Sequence, residues 1–285
     1  MNIHWFPGHM TKSLRMMDEN VALMDMLIYI LDARAPLACV NPVFSGYTEK
    51  LPVIYVLNKC DLANPEETEK WKKYFTSDKS VAVCLNSTQN GSSKTIFGLA
   101  KDMCKPIIEK KAAKGVRAVL RSMVIGVPNC GKSTFINNLC GKSKAIAGNK
   151  AGVTRGKQWV RANEYFEVLD TPGTLYPKFE NQTFARHLAY IGSIRDEIVD
   201  TNELALEFIG EMTQKFPGYL SGRYGVEECE DSVFMLTSIA VKRGLVRKGG
   251  IADEERASIA IIDDFRKGRM GKITLEKCYE NDRVV

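Results

Sequence analysis

The sequence lacks the features that mark secreted and membrane-spanning proteins. Its first residues, MNIHWFPGHMTKSLRMMDEN, do not show the charged-then-apolar pattern of a signal peptide, and no apolar run approaches the roughly 20 residues that a membrane-spanning helix needs. The eight cysteines form no C-x-x-C pair and no zinc-like Cys/His spacing. We therefore expect a cytoplasmic protein with reduced thiols and no membrane partner.

Positive charge is modest and unevenly distributed. The formal net charge is +6 over 285 residues. Lys and Arg outnumber Asp and Glu in residues 1–177, whereas residues 178–285 are slightly acidic. A phosphate-bearing or nucleic-acid partner is therefore compatible with the composition, but it is not required.

Short apolar runs alternate with helical patterns in the first two-thirds of the chain, and beyond it the spacing is helical with few strand signals. This predicts an α/β domain with a doubly wound, mostly parallel sheet over residues 1–177, followed by a smaller all-helical domain over 178–285. The expected strands are 26–31, 52–57, 81–85, 121–127 and 165–170, and the expected helices of the first domain are near 10–24, 65–75, 93–113 and 132–140.

The segment GVPNCGKST, residues 126–134, matches the phosphate-binding loop pattern G-x-x-x-x-G-K-[ST] between an apolar strand and a helical pattern. Glycines let backbone amides approach phosphate oxygens, Lys132 would reach the β- and γ-phosphates, and the Ser133 hydroxyl would bind Mg²⁺. The residues expected to contact nucleotide here are Asn129, Cys130, Gly131, Lys132, Ser133 and Thr134.

The segment NKCD, residues 58–61, follows an apolar strand and has the pattern of a guanine-reading corner. The Asp61 carboxylate would accept hydrogen bonds from guanine N1–H and the 2-amino group, which adenine cannot donate. Asn58 would hold the base edge and the Lys59 stem would pack on the ring. LNSTQNG, residues 85–91, is the candidate second base-contacting loop, through Asn86 and Ser87.

The segment DTPG, residues 170–173, fits the D-x-x-G element, with Asp170 acting on Mg²⁺ and the Gly173 amide facing the γ-phosphate. In AGVTRGKQW, Thr154 is the hydroxyl placed to close over Mg²⁺, and an ordinary loop threonine is an equal alternative.

These elements occur in the order base reader, second base loop, phosphate loop, switch threonine, DTPG, which is the ordinary GTPase order circularly permuted. Such a permutation is possible because the site is assembled from the ends of neighbouring strands. The second switch then runs directly into the helical domain, which would couple the state of the γ-phosphate to that domain.

With these motifs the chain resembles the circularly permuted ribosome-assembly GTPases of the bacterial YlqF/RbgA type. The resemblance implies a GTPase that docks on the immature large (50S) ribosomal subunit with GTP, contacts rRNA and ribosomal proteins, and leaves with GDP. We also expect Mg²⁺, K⁺ and a monomer in solution. The matching segments are WFPGHMTK, DARAPLACVNP, NKCDL, GVPNCGKST, AGVTRGKQW, DTPG, PKFENQ, RGLVRKGG and DFRKGRMGKITLE.

Thr174 occupies the position where Ras-like enzymes carry a catalytic Gln. The resemblance implies His9, in WFPGHM, as the residue that aligns the attacking water, and packing beside the first helix or capping it is an equal alternative. The expected catalytic set is His9, Lys132, Thr154 and Gly173.

The resemblance also implies that Asn129 coordinates K⁺, whereas the Pro128-Asn129 pair by itself suits a turn. Arg34 and Arg155 are other internal positive charges, either structural or in contact with RNA.

Three functions compete on the sequence alone: a GTP-driven assembly factor, an RNA scaffold that binds nucleotide but barely hydrolyses it, and a metabolic ATP enzyme, against which Asp61 argues.

Two basic clusters in the helical domain suit RNA phosphates, with solvated helix ends as the alternative. They are Lys242, Arg243, Arg247 and Lys248, and Arg266, Lys267, Arg269 and Lys272. Asp253 is the predicted N-cap of the last helix.

Overall fold

A computed structural model describes residues 3, 7–89, 91–141 and 158–278 of the chain. The chain divides into two compact units. Of the described residues, the sheet unit contains 7–178 and 274–278, and the helical unit contains Ile3 and Phe179–Ile273. The expected division after residue 177 differs from this one mainly at the C-terminal end, where Thr274–Cys278 returns to the sheet unit because it hydrogen-bonds there.

The sheet unit is organised on a six-stranded sheet with the order β3-β2-β1-β4-β6-β5. Neighbouring strands are parallel except β5, which runs antiparallel to β6. The expected α/β fold with a mostly parallel sheet is confirmed, and each predicted strand is present. The strands are β1 Met26–Asp32, β2 Val53–Asn58, β3 Ser80–Leu85, β4 Leu120–Ile125, β5 Gln158–Asn163 and β6 Phe166–Asp170.

The strand order creates a crevice between β1 and β4. The chain proceeds outward from β1 through β2 to β3, and then crosses to the other side of β1 to form β4. In parallel α/β sheets, ligands bind outside the carboxyl ends of the strands at such a change of direction. The segment after β1 and the phosphate loop after β4 both leave the sheet at this point.

Capping side chains and prolines set the ends of several helices in the sheet unit. The Asn64 side chain accepts the Glu66 and Glu67 amides at the start of α3, and Pro65 supplies a suitable first helical residue. The single helix expected over 93–113 is two helices, because the backbone leaves the helical conformation at Cys104 and Pro106 lacks an N–H. The helices are α1 Gly8–Val21, α2 Ser45–Thr48, α3 Pro65–Tyr74, α4 Ser92–Met103, α5 Lys105–Ala113 and α6 Lys132–Cys140.

The helical unit packs around an aromatic core. The Phe208 ring lies 5.1 Å from both the Tyr190 and Phe265 rings, and all three are buried. The predicted N-cap is confirmed, since the Asp253 carboxylate accepts the Arg256 amide at 3.3 Å. No helix within the described residues is both long and apolar enough to cross a bilayer. The helices are α7 Gln182–Tyr190, α8 Thr201–Lys215, α9 Tyr219–Tyr224, α10 Ser232–Lys242 and α11 Glu254–Arg266.

Candidate guanine-nucleotide site

The parallel register brings the ends of three strands into one row. Asp32 at the end of β1 pairs with Asn58 at the end of β2, and Asn58 pairs with Leu85 at the end of β3. The segment NKCD and the loop that begins at Asn86 therefore leave the sheet side by side. The two segments expected to contact the base become neighbours through the sheet, although they lie far apart in sequence.

The Asn58 side chain joins the base-reading segment to the phosphate loop. It is buried, its amide nitrogen donates to the Cys130 carbonyl at 2.7 Å, and its oxygen accepts the Ser87 amide at 3.0 Å. The two halves of the site are thus held by one amide group. Asn58 therefore links the phosphate loop to the loop after β3.

The loop after β3 is held from two directions. Asn138 on α6 donates to the Ser87 carbonyl at 3.3 Å and to the Gln89 carbonyl. Within the loop, the Asn86 side-chain oxygen accepts the Thr88 amide at 3.0 Å and the Thr88 hydroxyl at 2.6 Å. No local pattern pointed to Asn138, because its partner loop lies about 50 residues earlier.

Lys59 is held through its ammonium group by two acceptors from different segments of the chain. Its backbone is left-handed, with φ 58°, and its ammonium group donates at 2.8 Å to the Asn129 carbonyl and at 2.8 Å to the Asp32 carboxylate. The 3₁₀ turn Cys60–Leu62 follows directly and leaves Asp61 exposed. An exposed carboxylate can accept hydrogen bonds from a ligand, which is compatible with the guanine-reading role predicted for Asp61.

Asp32 is a site residue that the sequence interpretation missed. It is fully buried, and the guanidinium of Arg34, also buried, donates to its carboxylate at 2.8 and 2.7 Å. Burial alone would raise the pKa of Asp32, but the charges of Arg34 and Lys59 hold it well below its usual range. Arg34 is therefore structural. An acid ending an apolar strand, with Arg two positions later, was the available signal.

The phosphate loop is stabilised by its own lysine. Lys132 is nearly buried and donates to the Gly126 carbonyl at 2.9 Å and the Val127 carbonyl at 2.7 Å. Gly131, with φ 101°, is the N-cap residue just before α6, and a Cβ there would lie 2.2 Å from the Asn58 amide nitrogen. Glycine is therefore required at this position by both backbone conformation and space.

Other predicted residues of the loop lie in the same segment. Ser133 and Thr134 are half-buried in the first turn of α6, where helix N–H groups favour anions. Cys130 is buried, and burial raises the pKa of its thiol. Asn129 has a left-handed backbone, with φ 57°, which suits the turn-forming interpretation.

The DTPG segment lies against the phosphate loop. A Cβ added at Gly173 would be 2.7 Å from the Pro128 Cα and 2.9 Å from the Lys132 Nζ. The Thr174 amide donates to the Gly126 carbonyl at 3.3 Å, and the Thr171 hydroxyl donates to the Val124 carbonyl at 2.6 Å. Only glycine allows this close approach at position 173.

Asp170 is buried at the end of β6, and among the described residues neither of its carboxylate oxygens has a hydrogen-bond partner. Burial raises the pKa of Asp170 to about 6, partly opposed by the charge of Lys132. A buried carboxylate of this kind fits a divalent cation. No cluster of three or more His, Cys, Asp or Glu suited to a metal occurs in the described parts of the chain. Mg²⁺ bound with nucleotide needs few protein ligands, because phosphates and water supply the others.

The remaining predicted residues are not brought to this cleft by any described contact. Thr154 and Arg155 lie outside the described residues. His9 is exposed in the first turn of α1. The next residue, Met10, is buried, and its sulfur accepts the Leu175 amide at 3.4 Å. The start of α1 therefore contacts the segment just after DTPG.

Comparison with known proteins identifies related GTPases. The model of the 50S ribosome-binding GTPase family matches residues 121–214. Ribosome biogenesis GTPase A of Bacillus cereus is 37% identical over 97% of this chain and 94% of its own length. Mitochondrial ribosome-associated GTPase 1 of Ictalurus punctatus is 35% identical, covering 96% of this chain and 92% of that protein. The crystal structure of GNP-bound YlqF from T. maritima superposes with a TM-score of 0.65 and 25% identity, over 94% of this chain and 98% of that one.

Asp61→Asn tests base selection. We expect GTP affinity to fall on the order of 10³-fold, because the amide cannot accept both guanine hydrogen bonds. Xanthosine triphosphate should bind the variant better than GTP does, since the amide can donate to the xanthine 2-oxygen. Calorimetry with GTP, ATP and XTP measures this. Asp78→Asn, another exposed acid, is the matched control. Unchanged GTP affinity in Asp61→Asn would remove Asp61 from the base site.

Asp170→Asn tests the buried carboxylate. Without nucleotide at pH 7.5, the variant should be more stable than wild type by about 1–2 kcal/mol, because an ionised and unpaired buried group is removed. With Mg²⁺ and GDP the wild type should gain more stability than the variant. Thermal unfolding with and without Mg²⁺-GDP measures both effects, and Asp102→Asn on exposed α4 surface is the control. Equal stabilisation of both proteins by Mg²⁺-GDP would exclude Asp170 from the metal site.

Proposed function

The chain belongs to the ribosome biogenesis GTPase A family and is a GTPase, and from this premise we propose that it is an assembly factor for the large ribosomal subunit in the cytoplasm. In this proposal the GTP form docks on an immature large subunit, hydrolysis follows, and the GDP form leaves. The observation that carries it is the direct continuation of DTPG into the helical unit, which begins at Phe179. A change at the γ-phosphate has a short covalent path to that unit.

Base selection is assigned to the strand ends. Asp61 would accept from guanine, the Lys59 stem would cover the ring, and Asn58 would hold the phosphate loop to the base loop. Ser87, whose amide is already fixed by Asn58, lies in the loop that would face the guanine carbonyl. Asn86 would support that loop through its contacts with Thr88.

The phosphates are assigned to the start of α6. The backbone from Asn129 to Thr134 would surround them, with Lys132 exchanging its two carbonyl partners for β- and γ-phosphate oxygens. Mg²⁺, when bound, would neutralise charge between these phosphates, and Ser133, Asp170 and Thr154 are the residues assigned to hold it. The Gly173 amide would donate to the γ-phosphate, since Gly173 already lies against Lys132.

Water alignment is assigned to His9. Thr174 replaces the usual Gln, and its hydroxyl is buried, so it does not offer a mobile side chain to water. The contact of Met10 with Leu175 supports His9, because it joins the start of α1 to the segment after DTPG. A neutral imidazole accepts a proton near pH 7.

Asn129 is assigned to K⁺. Its half-buried side chain belongs to the phosphate loop, and an amide oxygen is a suitable ligand for a hard cation. A bound K⁺ would add positive charge where other GTPases use an arginine. The turn-forming role and the K⁺ role are compatible, since one uses the backbone and the other the side chain.

The ribosome-contacting surface is assigned to the turn between α10 and α11. Lys242, Arg243 and Lys248 are exposed there, and Arg247, paired with Asp253, keeps an exposed side chain. The second basic cluster is less available: Arg266 pairs with Asp196, and Arg269 with Asp264. Contacts with rRNA phosphates are therefore assigned to the first cluster.

A nucleotide-binding RNA scaffold with negligible turnover is the second candidate, favoured by Thr174 at the Gln position. The two functions differ in one measurable quantity, the hydrolysis rate on the ribosome. The scaffold would bind large subunits equally with GTP and GDP and would not be stimulated by them.

Single-turnover GTP hydrolysis with and without purified large subunits tests the proposal. We expect strong stimulation by subunits, and His9→Ala should lose on the order of 10²-fold of the stimulated rate while keeping nucleotide affinity. Thr11→Ala, an exposed neighbour in the same helix, is the control. Co-sedimentation in each nucleotide state measures docking. Absence of stimulation would favour the scaffold, and full stimulation of His9→Ala would leave His9 a surface residue.

The K⁺ assignment predicts a salt effect. Turnover in KCl should exceed turnover in NaCl at equal ionic strength by about tenfold, because K⁺ would stabilise developing phosphate charge. Asn129→Ala should reduce the KCl rate to the NaCl rate without changing the rate in NaCl. Equal wild-type rates in the two salts would contradict the assignment.

A further inference from the structure

The chain returns from the helical unit to complete the sheet unit. Thr274, Leu275 and Glu276 are buried there, whereas Lys277 is exposed. We name residues Thr274–Cys278 the C-terminal strap. The strap lies more than 200 residues from its partners in sequence, as the separation of 239 between Leu37 and Glu276 illustrates.

One side of the strap holds the loop that follows β1. The Glu276 carboxylate accepts the Leu37 amide at 2.6 Å and the Ala38 amide at 3.1 Å. The Leu275 amide donates to the Arg34 carbonyl at 2.7 Å. A buried carboxylate that accepts two backbone N–H groups makes strong, charge-assisted hydrogen bonds, so this loop is held firmly.

The other side of the strap holds the segment that follows the base reader. The Thr274 hydroxyl accepts the Asn64 amide at 3.1 Å and contacts the Ala33 carbonyl at 3.4 Å. The Trp71 indole N–H donates to the Glu276 carbonyl at 3.0 Å. Thr274 therefore bridges the two segments with a single hydroxyl group.

The two segments held by the strap carry the residues around the base. Arg34, fixed through its carbonyl, orients Asp32, and Asp32 accepts a hydrogen bond from Lys59 at 2.8 Å. Asn64 lies three residues after Asp61 and caps α3. The strap thus acts on the lysine stem from one side and on the guanine-selecting carboxylate from the other.

From these contacts we infer that Glu276, with the C-terminal strap, is a positioning residue for guanine-nucleotide binding. The Glu276 carboxylate holds the loop after β1 at Leu37 and Ala38, and the Glu276 carbonyl accepts the Trp71 indole N–H of α3. The neighbouring Leu275 and Thr274 hold Arg34 and Asn64. Through these segments Glu276 would position Lys59 and Asp61 without touching the nucleotide. This inference rests on the proposed base-reading roles of Lys59 and Asp61. It holds whether or not the protein acts on the large ribosomal subunit.

Nucleotide release from the full-length chain, without ribosomes, tests the inference. The protein is loaded with fluorescent GDP, and dissociation is followed after addition of excess unlabelled GDP. Glu276→Ala should dissociate about tenfold faster than wild type, because the displaced residues no longer hold the base. Glu276→Gln should show a smaller increase, since its amide oxygen still accepts an N–H.

A second measurement separates positioning from general loss of stability. Inosine diphosphate lacks the 2-amino group that Asp61 would read, so Glu276→Ala should affect its release less than that of GDP. Lys277→Ala, exposed on the same strap, should release GDP at the wild-type rate. Val160→Ala, which truncates a buried side chain of β5 at the far edge of the sheet, should lower the melting temperature without accelerating release.

The inference is overturned if folded Glu276→Ala releases GDP at the wild-type rate, or if Val160→Ala accelerates release as much. It is also overturned if GDP and inosine diphosphate are affected equally. Should Glu276→Ala not fold, Glu276→Gln decides the matter: faster GDP release supports the inference, and wild-type release overturns it.

Discussion

The Asn58 amide is hydrogen-bonded to both halves of the site, and the rest of the cleft depends on that bridge. Through it, the end of β2 is tied to the phosphate loop at Cys130 and to the base loop at Ser87. The bridge also explains why position 131 is glycine. The Asn58 amide nitrogen lies 2.2 Å from the position that a Cβ of residue 131 would occupy, so only glycine fits there. Gly131 in turn allows α6 to begin with Lys132 directed back toward its own loop.

A second layer of the site is electrostatic. Asp32 is buried, and a buried carboxylate is stable only when it is paired, as it is with Arg34 and Lys59. Asp170 is the opposite case, a buried carboxylate without a hydrogen-bond partner among the described residues, whose pKa is raised to about 6. One acid is neutralised by the protein, and the other suits a cation that arrives with the nucleotide.

The features that could be predicted from the sequence are those that depend on residues close together in the chain. The motifs around Asn58, Lys132 and Asp170 were recognisable because each needs only a strand end and a few adjacent residues. β5 was missed because its residues are largely exposed and its partner is antiparallel. Asn138 and Glu276 were missed for a different reason, since their roles depend on partners that only the folded sheet brings near. Asp32 was missed although one partner, Arg34, lies two positions later.

The place of Glu276 after the helical unit in the chain has a consequence for biosynthesis. Its bonds to Leu37 and Ala38 close a loop of more than 200 residues, and such contacts form late because they require a large loss of chain entropy. During translation the whole helical unit must emerge before this contact can form. If Glu276 positions the base site as proposed, that side of the cleft is completed only after the helical unit has been synthesised, and a nascent chain that stalls inside the helical unit carries the phosphate loop without it.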